Sequence, residues 1–236
     1  MKSSGSAGRR EEVELRAAGE TVPGILSFQR ASAPVPAALL IHGWTSHKEQ
    51  MASSVGAALL DVGIASLALD LPMHGERESP EAMSLRNPID LIRRWTAALA
   101  EAAAGVEYLA RRPEVNAKRL AIVGYSLGSF VAVMTASREA SVRAVVLAAG
   151  GDLPAGSPFE RVVRAVADPK RAIRKLEGRP LLMVHGKRDR TVRPEQAERL
   201  FAAAGEPKEL RWWDSGHYLP QAAIDDAARW MKSALA

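Results

Sequence analysis

A chain of 236 residues, 47% hydrophobic and 25% charged, has the size and balance of one soluble globular domain with a buried core. Its net charge of +5, from 32 Lys and Arg against 27 Asp and Glu, is interspersed rather than gathered into a basic stripe with aromatics, which argues against a nucleic-acid partner. The absence of cysteine excludes disulfides, thiolate metal sites and a cysteine nucleophile together.

Met1 to Arg10 is rich in Ser, Gly and Arg, with no apolar segment behind it, and reads as a disordered tail rather than a signal peptide or anchor. No apolar run approaches the ~18–20 residues that span a bilayer. A cytoplasmic protein without a membrane partner is the expectation. Residues 11–236 read as a single domain. Glu11 to Arg16 alternates as a half-exposed strand does, and Val22 to Phe28 returns as its hairpin partner across Gly19-Glu20. Pro23 places that second strand at an edge or a bulge. Ala37 to Ile41 is a buried strand ending in His42-Gly43-Trp44, and Glu49 to Asp61 carries helical spacing through Met51, Val55, Ala58 and Leu59. Ala65 to Leu69 is the next strand, followed by a loop through Pro72 and Gly75. Pro88 opens an amphipathic helix that runs to Leu109. Leu120 to Val123 is a strand, and a helix follows to about Ser137. Val142 to Ala149 is another strand, broken by Gly150-Gly151. Gly151 to Arg179 is irregular, with short helices over Phe159 to Val166 and Lys170 to Leu176. The chain closes with strand Leu181 to His185, helix Pro194 to Ala204, strand Glu209 to Trp213 and helix Ile224 to Leu235.

Buried strands alternating with amphipathic helices predict an α/β fold, a mostly parallel sheet with helices on both faces. In such sheets reactive groups gather at the carboxyl ends of the strands. Gly124-Tyr125-Ser126-Leu127-Gly128 lies between a strand and a helix, the setting in which a sharp turn lifts a serine clear of the sheet. A neutral serine needs a base and a group to orient that base. Of five histidines, His217 in the loop Asp214-Ser215-Gly216-His217 is best placed to be the base. His42 and His185 end strands as His-Gly and suit structural hydrogen bonding; His74 is a weaker rival and His47 a surface residue. Asp189, just after the penultimate strand, is the expected acid, with Asp152 and Asp214 as rivals. Among basic neighbours it could instead be an exposed salt-bridged carboxylate. The oxyanion of an attacked carbonyl calls for two amide donors, expected at Trp44 and Leu127. The indole of Trp44 either walls the site or serves as packing. No metal-ligand spacing and no phosphate-cradling loop occurs, so no metal and no cofactor is expected.

The order Ser126, Asp189, His217, the Gly-x-Ser-x-Gly elbow and the His42-Gly43-Trp44 loop resemble the α/β-hydrolase superfamily from about Val22 to the C-terminus. Within it the chain resembles small bacterial carboxylesterases and the dienelactone-hydrolase-like group, with serine where true dienelactone hydrolases carry cysteine. The resemblance implies an acyl-enzyme mechanism on a small-molecule ester, and places a short cap insertion at 151–179. That cap is basic, through Arg161, Arg164, Lys170, Arg171, Arg174, Lys175 and Arg179. Its basic face suits solvent, or an acidic acyl group. Its shortness points to small or medium acyl esters. Amide, peptide or thioester cleavage on the same triad, and a non-catalytic binding protein with this fold, are the competing readings. A homo-oligomer is compatible with the sequence.

Overall fold

A computed structural model describes residues 8–78, 88–154, 156 and 164–236. Eight strands form one sheet: β1 Arg9–Ala17, β2 Glu20–Phe28, β3 Val35–Ile41, β4 Ala65–Leu69, β5 Val115–Tyr125, β6 Val142–Ala148, β7 Leu181–Gly186 and β8 Lys208–Trp213. Their order across the sheet is β1-β2-β4-β3-β5-β6-β7-β8. The β1/β2 and β2/β4 pairs are antiparallel, and every later pair is parallel.

The inner parallel strands hold apolar runs, such as Ala37–Ile41 of β3 and Leu181–Val184 of β7, because both of their faces are covered. Leu39 and Ile41 of β3 join one apolar cluster, whereas Ala38 and Leu40 join the other. The first cluster lies under helices α3 Pro88–Arg111, α4 Leu127–Ala136, α5 Pro169–Arg174 and α6 Pro194–Ala203. The second lies under α1 Lys48–Met51, which runs through a π-helical turn, Ala52–Gly56, into α2 Ala57–Asp61, and under α7 Gln221–Ala234.

Several boundaries differ from the sequence reading. β1 begins at Arg9, so Arg9 and Arg10 belong to the sheet and not to a tail. β2 is an interior strand despite Pro23. The missing amide falls where pairing with β4 ends: the Pro23 carbonyl accepts from the Asp70 amide, and the Asp70 carbonyl takes its donor from Arg77 Nη1 at 3.2 Å. β5 starts five residues early, since Asn116, Lys118 and Arg119 are polar and Ala117 is exposed, so the stretch carries no apolar signal. The expected helix Phe159 to Val166 lies mostly outside the described residues; 164–166 are helical.

Candidate active site

The site is built from strand ends. β5 leads through Tyr125 to Ser126, whose φ of 51° and ψ of −114° place it in a sparsely populated backbone region at the start of α4. Three bonds hold that strained turn. The Ser126 amide donates to the Ala148 carbonyl at 2.8 Å, and the buried Ser129 hydroxyl lies 2.9 Å from the Gly124 carbonyl and 3.0 Å from that of Ala148. The two glycines are required by backbone contact. A Cβ on Gly124 would stand 2.2 Å from the Gly128 carbonyl oxygen, and one on Gly128 would stand 2.1 Å from that of Ile41.

The structure brings Ser126, His217 and Asp189 into one line. His217 Nε2 lies 2.9 Å from Ser126 Oγ, and His217 Nδ1 lies 2.8 Å from Asp189 Oδ2. Nδ1–H donates to the carboxylate, which leaves Nε2 with a lone pair facing the hydroxyl. Asp189 is 2% exposed, and its Oδ1 accepts the amides of Thr191 and Val192 at 2.8 and 3.0 Å. Of its basic neighbours, Arg188 pairs instead with Asp214 at 2.5 Å. The loops carrying Asp189 and His217 are zipped together by backbone bonds from Lys187 to Trp213 and from Arg188 to Ser215. Gly186 permits that approach, because a Cβ there would sit 2.1 Å from the Gly216 carbonyl.

Neither rival acid reaches His217. Asp214 is engaged at the surface by Arg188. Asp152 is buried but faces away, bound bidentately by Arg164 at 2.9 Å with Arg199 at 3.5 Å. Burial works against its charge, yet these cations hold its carboxyl below the usual range. Two of the basic residues of 151–179 are thereby accounted for, since Lys170 also stands 3.8 Å from Asp152. Arg179 donates to the carbonyls of Ala136, Glu139 and Val142. Arg161 lies outside the described residues.

The loop after β3 passes beside Ser126: a Cβ on Gly43 would be 3.1 Å from Ser126 Cβ. Thr45 has a φ of +65°, and the Ser46 amide bonds the Gly43 carbonyl at 3.2 Å, closing a tight turn. Among the described residues the amides of Trp44 and Leu127 have no partner. The Trp44 indole does two things: its ring meets His74 edge to face at 5.1 Å, and its exposed part lines the cleft.

His42 is fully buried under this loop. Its Nε2 accepts the Leu71 amide at 3.0 Å and its Nδ1 donates to the Gly43 carbonyl at 2.7 Å, a pattern that only a neutral ring can make. Burial lowers its pKa to about 4. His185 is likewise buried, with Nε2 on the Val192 carbonyl at 2.9 Å, and burial lowers its pKa. His74 bonds the Pro72 carbonyl and His47 pairs with Glu49 at the surface, so neither competes as base.

Three contributors escape the sequence reading. Tyr125, the variable residue of the elbow motif, donates its hydroxyl to the His217 carbonyl at 2.7 Å and accepts the Leu219 amide at 2.9 Å. Lys48 is buried beside Asp70 and contacts Glu49 and Glu76, anchoring the loop below the Trp44 turn. Arg77 clasps Glu101 through two bonds of 2.7 and 2.8 Å. No spacing in the chain signals any of these pairings.

A family model for the dienelactone hydrolase family matches residues 23–217. The chain belongs to that family. It is 27% identical over 176 residues to "Polyketide transferase ATR5" of Stachybotrys chlorohalonatus, covering 73% of this chain and 55% of the relative, so the chain spans about half of that relative's length. Among solved structures it is similar to TT1662 from Thermus thermophilus, at 26% identity and a TM-score of 0.75 over 96% of this chain and 98% of the other. A cold-adapted esterase from an Arctic intertidal metagenomic library superposes with a TM-score of 0.75 at 20% identity, over 100% and 99% of the two chains. An acetyl xylan esterase from Paenibacillus sp. R4 reaches 0.80 at 16% identity, over 99% and 86%. The fold of this dienelactone hydrolase family member is thus the α/β-hydrolase fold.

The cleft over Ser126 has a volume of about 340 Å³ and runs between the Trp44 turn, the π-helical segment and the start of α7. No Asp, Glu, Lys or Arg lines it among the described residues. Tyr218 stands at its mouth, 78% exposed. Among the described residues no group of three or more His, Asp or Glu could hold a metal ion, and no helix is long and apolar enough to cross a membrane.

Proposed function

We propose that this protein is a serine carboxylester hydrolase acting on neutral esters with small to medium acyl groups. The observation that carries the reading is the continuous relay from Asp189 through His217 to Ser126, at 2.8 and 2.9 Å. Ser126 Oγ attacks the ester carbonyl as His217 Nε2 takes its proton. Asp189 keeps the ring in the productive tautomer and stabilises the imidazolium. The amides of Trp44 and Leu127 receive the oxyanion, a role in which one donor is worth about 3–4 kcal/mol of transition-state stabilisation. His217 returns its proton to the departing alkoxide, and the acyl-enzyme is released by a water that His217 activates. The uncharged cleft supports a neutral substrate over the acidic acyl group suggested by the basic cap, whose Arg164 and Lys170 face Asp152.

Labelling with a fluorophosphonate, mapped by mass spectrometry, is expected at Ser126 and nowhere else. Esterase activity that survives Ser126→Ala would refute the assignment. The relative's name, a polyketide transferase, supports a second reading in which an alcohol replaces water as acyl acceptor on the same acyl-enzyme. Product analysis with p-nitrophenyl butyrate and added alcohols separates the two: free butyrate marks hydrolysis, a new butyrate ester marks transfer.

A further inference from the structure

Behind the catalytic cleft lies a second, smaller space of about 30 Å³. Its floor is the sheet face around Val146, one side is Val55 and Leu59, and the other is Ala227 and Met231 of α7. Four residues, Val55, Tyr125, Leu219 and Ile224, line both this slot and the cleft over Ser126, and so stand where a throat between the two would open.

The slot is chemically uniform. The Tyr125 hydroxyl is the only polar side-chain atom among its lining residues, and it is already spent on His217 and Leu219. A water there would find no side-chain partner, whereas apolar cavities of this kind stay dry and take apolar guests. The space arises from sequence. Helix α7 presents Ala223, Ala227 and Ala228 where the opposite face of the sheet is covered by larger side chains such as Val106, Leu109 and Leu200. Across from it, the helix through Val55 is wound as a π-turn, a form that recurs at functional sites.

We infer that this slot receives the end of the acyl chain, and that Val55, Ile224 and Ala227 set the chain length; the inference rests on the esterase reading above. By volume it holds about two water-sized groups, hence about two carbons beyond the throat. The acyl group that fills it is a straight chain of roughly four to six carbons. Each methylene that enters raises kcat/KM about fourfold, the equivalent of about 0.8 kcal/mol.

The test is kcat/KM on p-nitrophenyl esters from acetate to octanoate, in wild type, Ala227→Leu and Ile224→Ala. Wild type is expected to rise to butyrate or hexanoate and fall beyond. Ala227→Leu fills the slot, so its hexanoate-to-acetate ratio drops at least tenfold; Ile224→Ala widens the throat, so the same ratio rises. A wild-type profile that falls steadily from acetate, or ratios unchanged in folded variants, overturns the inference. A readout without turnover separates this from failure of the esterase reading. In Ser126→Ala protein, 1-hexanol is expected to shift the NMR methyl signals of Ile224 and Met231, and ethanol at equal concentration is not. Hexanol binding without ester turnover in wild type sinks the esterase reading and leaves the slot standing. Ester turnover without the hexanol response sinks the slot alone.

Discussion

The hydroxyl of Tyr125 donates to the backbone carbonyl of His217 at 2.7 Å, so the residue next to the candidate nucleophile carries the loop of the candidate base. Because the same oxygen accepts the Leu219 amide, the chain on the C-terminal side of His217 is tied at two points to the strand that ends at Tyr125. Burial pushes the Tyr125 phenol up to about 12, which keeps it a donor across the working pH range. Tyr125→Phe removes both bonds while keeping the ring. A base displaced by about 1 Å can cost about 10²-fold. The expected outcome is kcat lowered 10- to 100-fold with KM changed less than threefold. A fall in thermal stability with unchanged kcat would mean that the bonds serve folding alone.

Asp189 offers a sharper separation between orientation and charge. Two backbone amides hold Oδ1, so in Asp189→Asn the side-chain oxygen stays with Thr191 and Val192 and the new NH2 group faces His217 Nδ1. Two donors then confront each other, and the ring must turn its proton toward Ser126. Loss of about 10³–10⁴ in kcat with retained fold is expected, the scale on which a wrong tautomer acts. Asp152→Asn provides the contrast. It leaves Arg164 and Arg199 with a neutral partner, costing stability while holding kcat within a few-fold. Thermal melts and p-nitrophenyl butyrate kinetics on both variants decide the matter; a larger kcat loss in Asp152→Asn would transfer the acid's role.

Gly128→Ala tests the crowding that makes the elbow. Its Cβ would meet the carbonyl oxygens of Ile41 and His42 at 2.1 and 2.6 Å, backbone atoms that have no side-chain freedom with which to yield. At least the ~1–3 kcal/mol of ordinary overpacking is expected, together with loss of fluorophosphonate labelling as the β3 loop is pushed away from Ser126. Labelling at the wild-type rate would contradict it. The need for glycine at this position is legible in the sequence, as are the alternating elements and the order Ser126, Asp189, His217, because each rests on local rules of turn geometry and apolar periodicity. What is not legible depends on partners distant in the chain. Tyr125 meets Leu219 across 94 positions, and Arg77 meets Glu101 across 24. The start of β5 is hidden for a different reason: Ala117 and Lys118 are exposed and Asn116 and Arg119 half-buried, so burial writes no pattern there. Pro23, read as an edge marker, sits inside the sheet because a side-chain donor stands in for its missing amide.

His42 makes stability depend on pH in a way that one difference measurement isolates. An unfolded histidine titrates near 6.5, whereas burial lowers His42 to about 4. Between those values the unfolded chain binds a proton that the folded protein refuses, so stability rises with pH across this window and is lost as pH falls through it. The shift corresponds to about 3 kcal/mol, reached at pH 4 and constant below. Glu49, pulled down to about 2, and Asp152 also weaken the fold in acid, but they are common to wild type and His42→Gln and cancel in the difference. Urea unfolding is therefore expected to show wild type more stable than His42→Gln at pH 7, with the gap shrinking by about 3 kcal/mol at pH 4. A gap that is the same at both pH values would mean that the ring is not held neutral, and its acceptance of the Leu71 amide would then need another explanation.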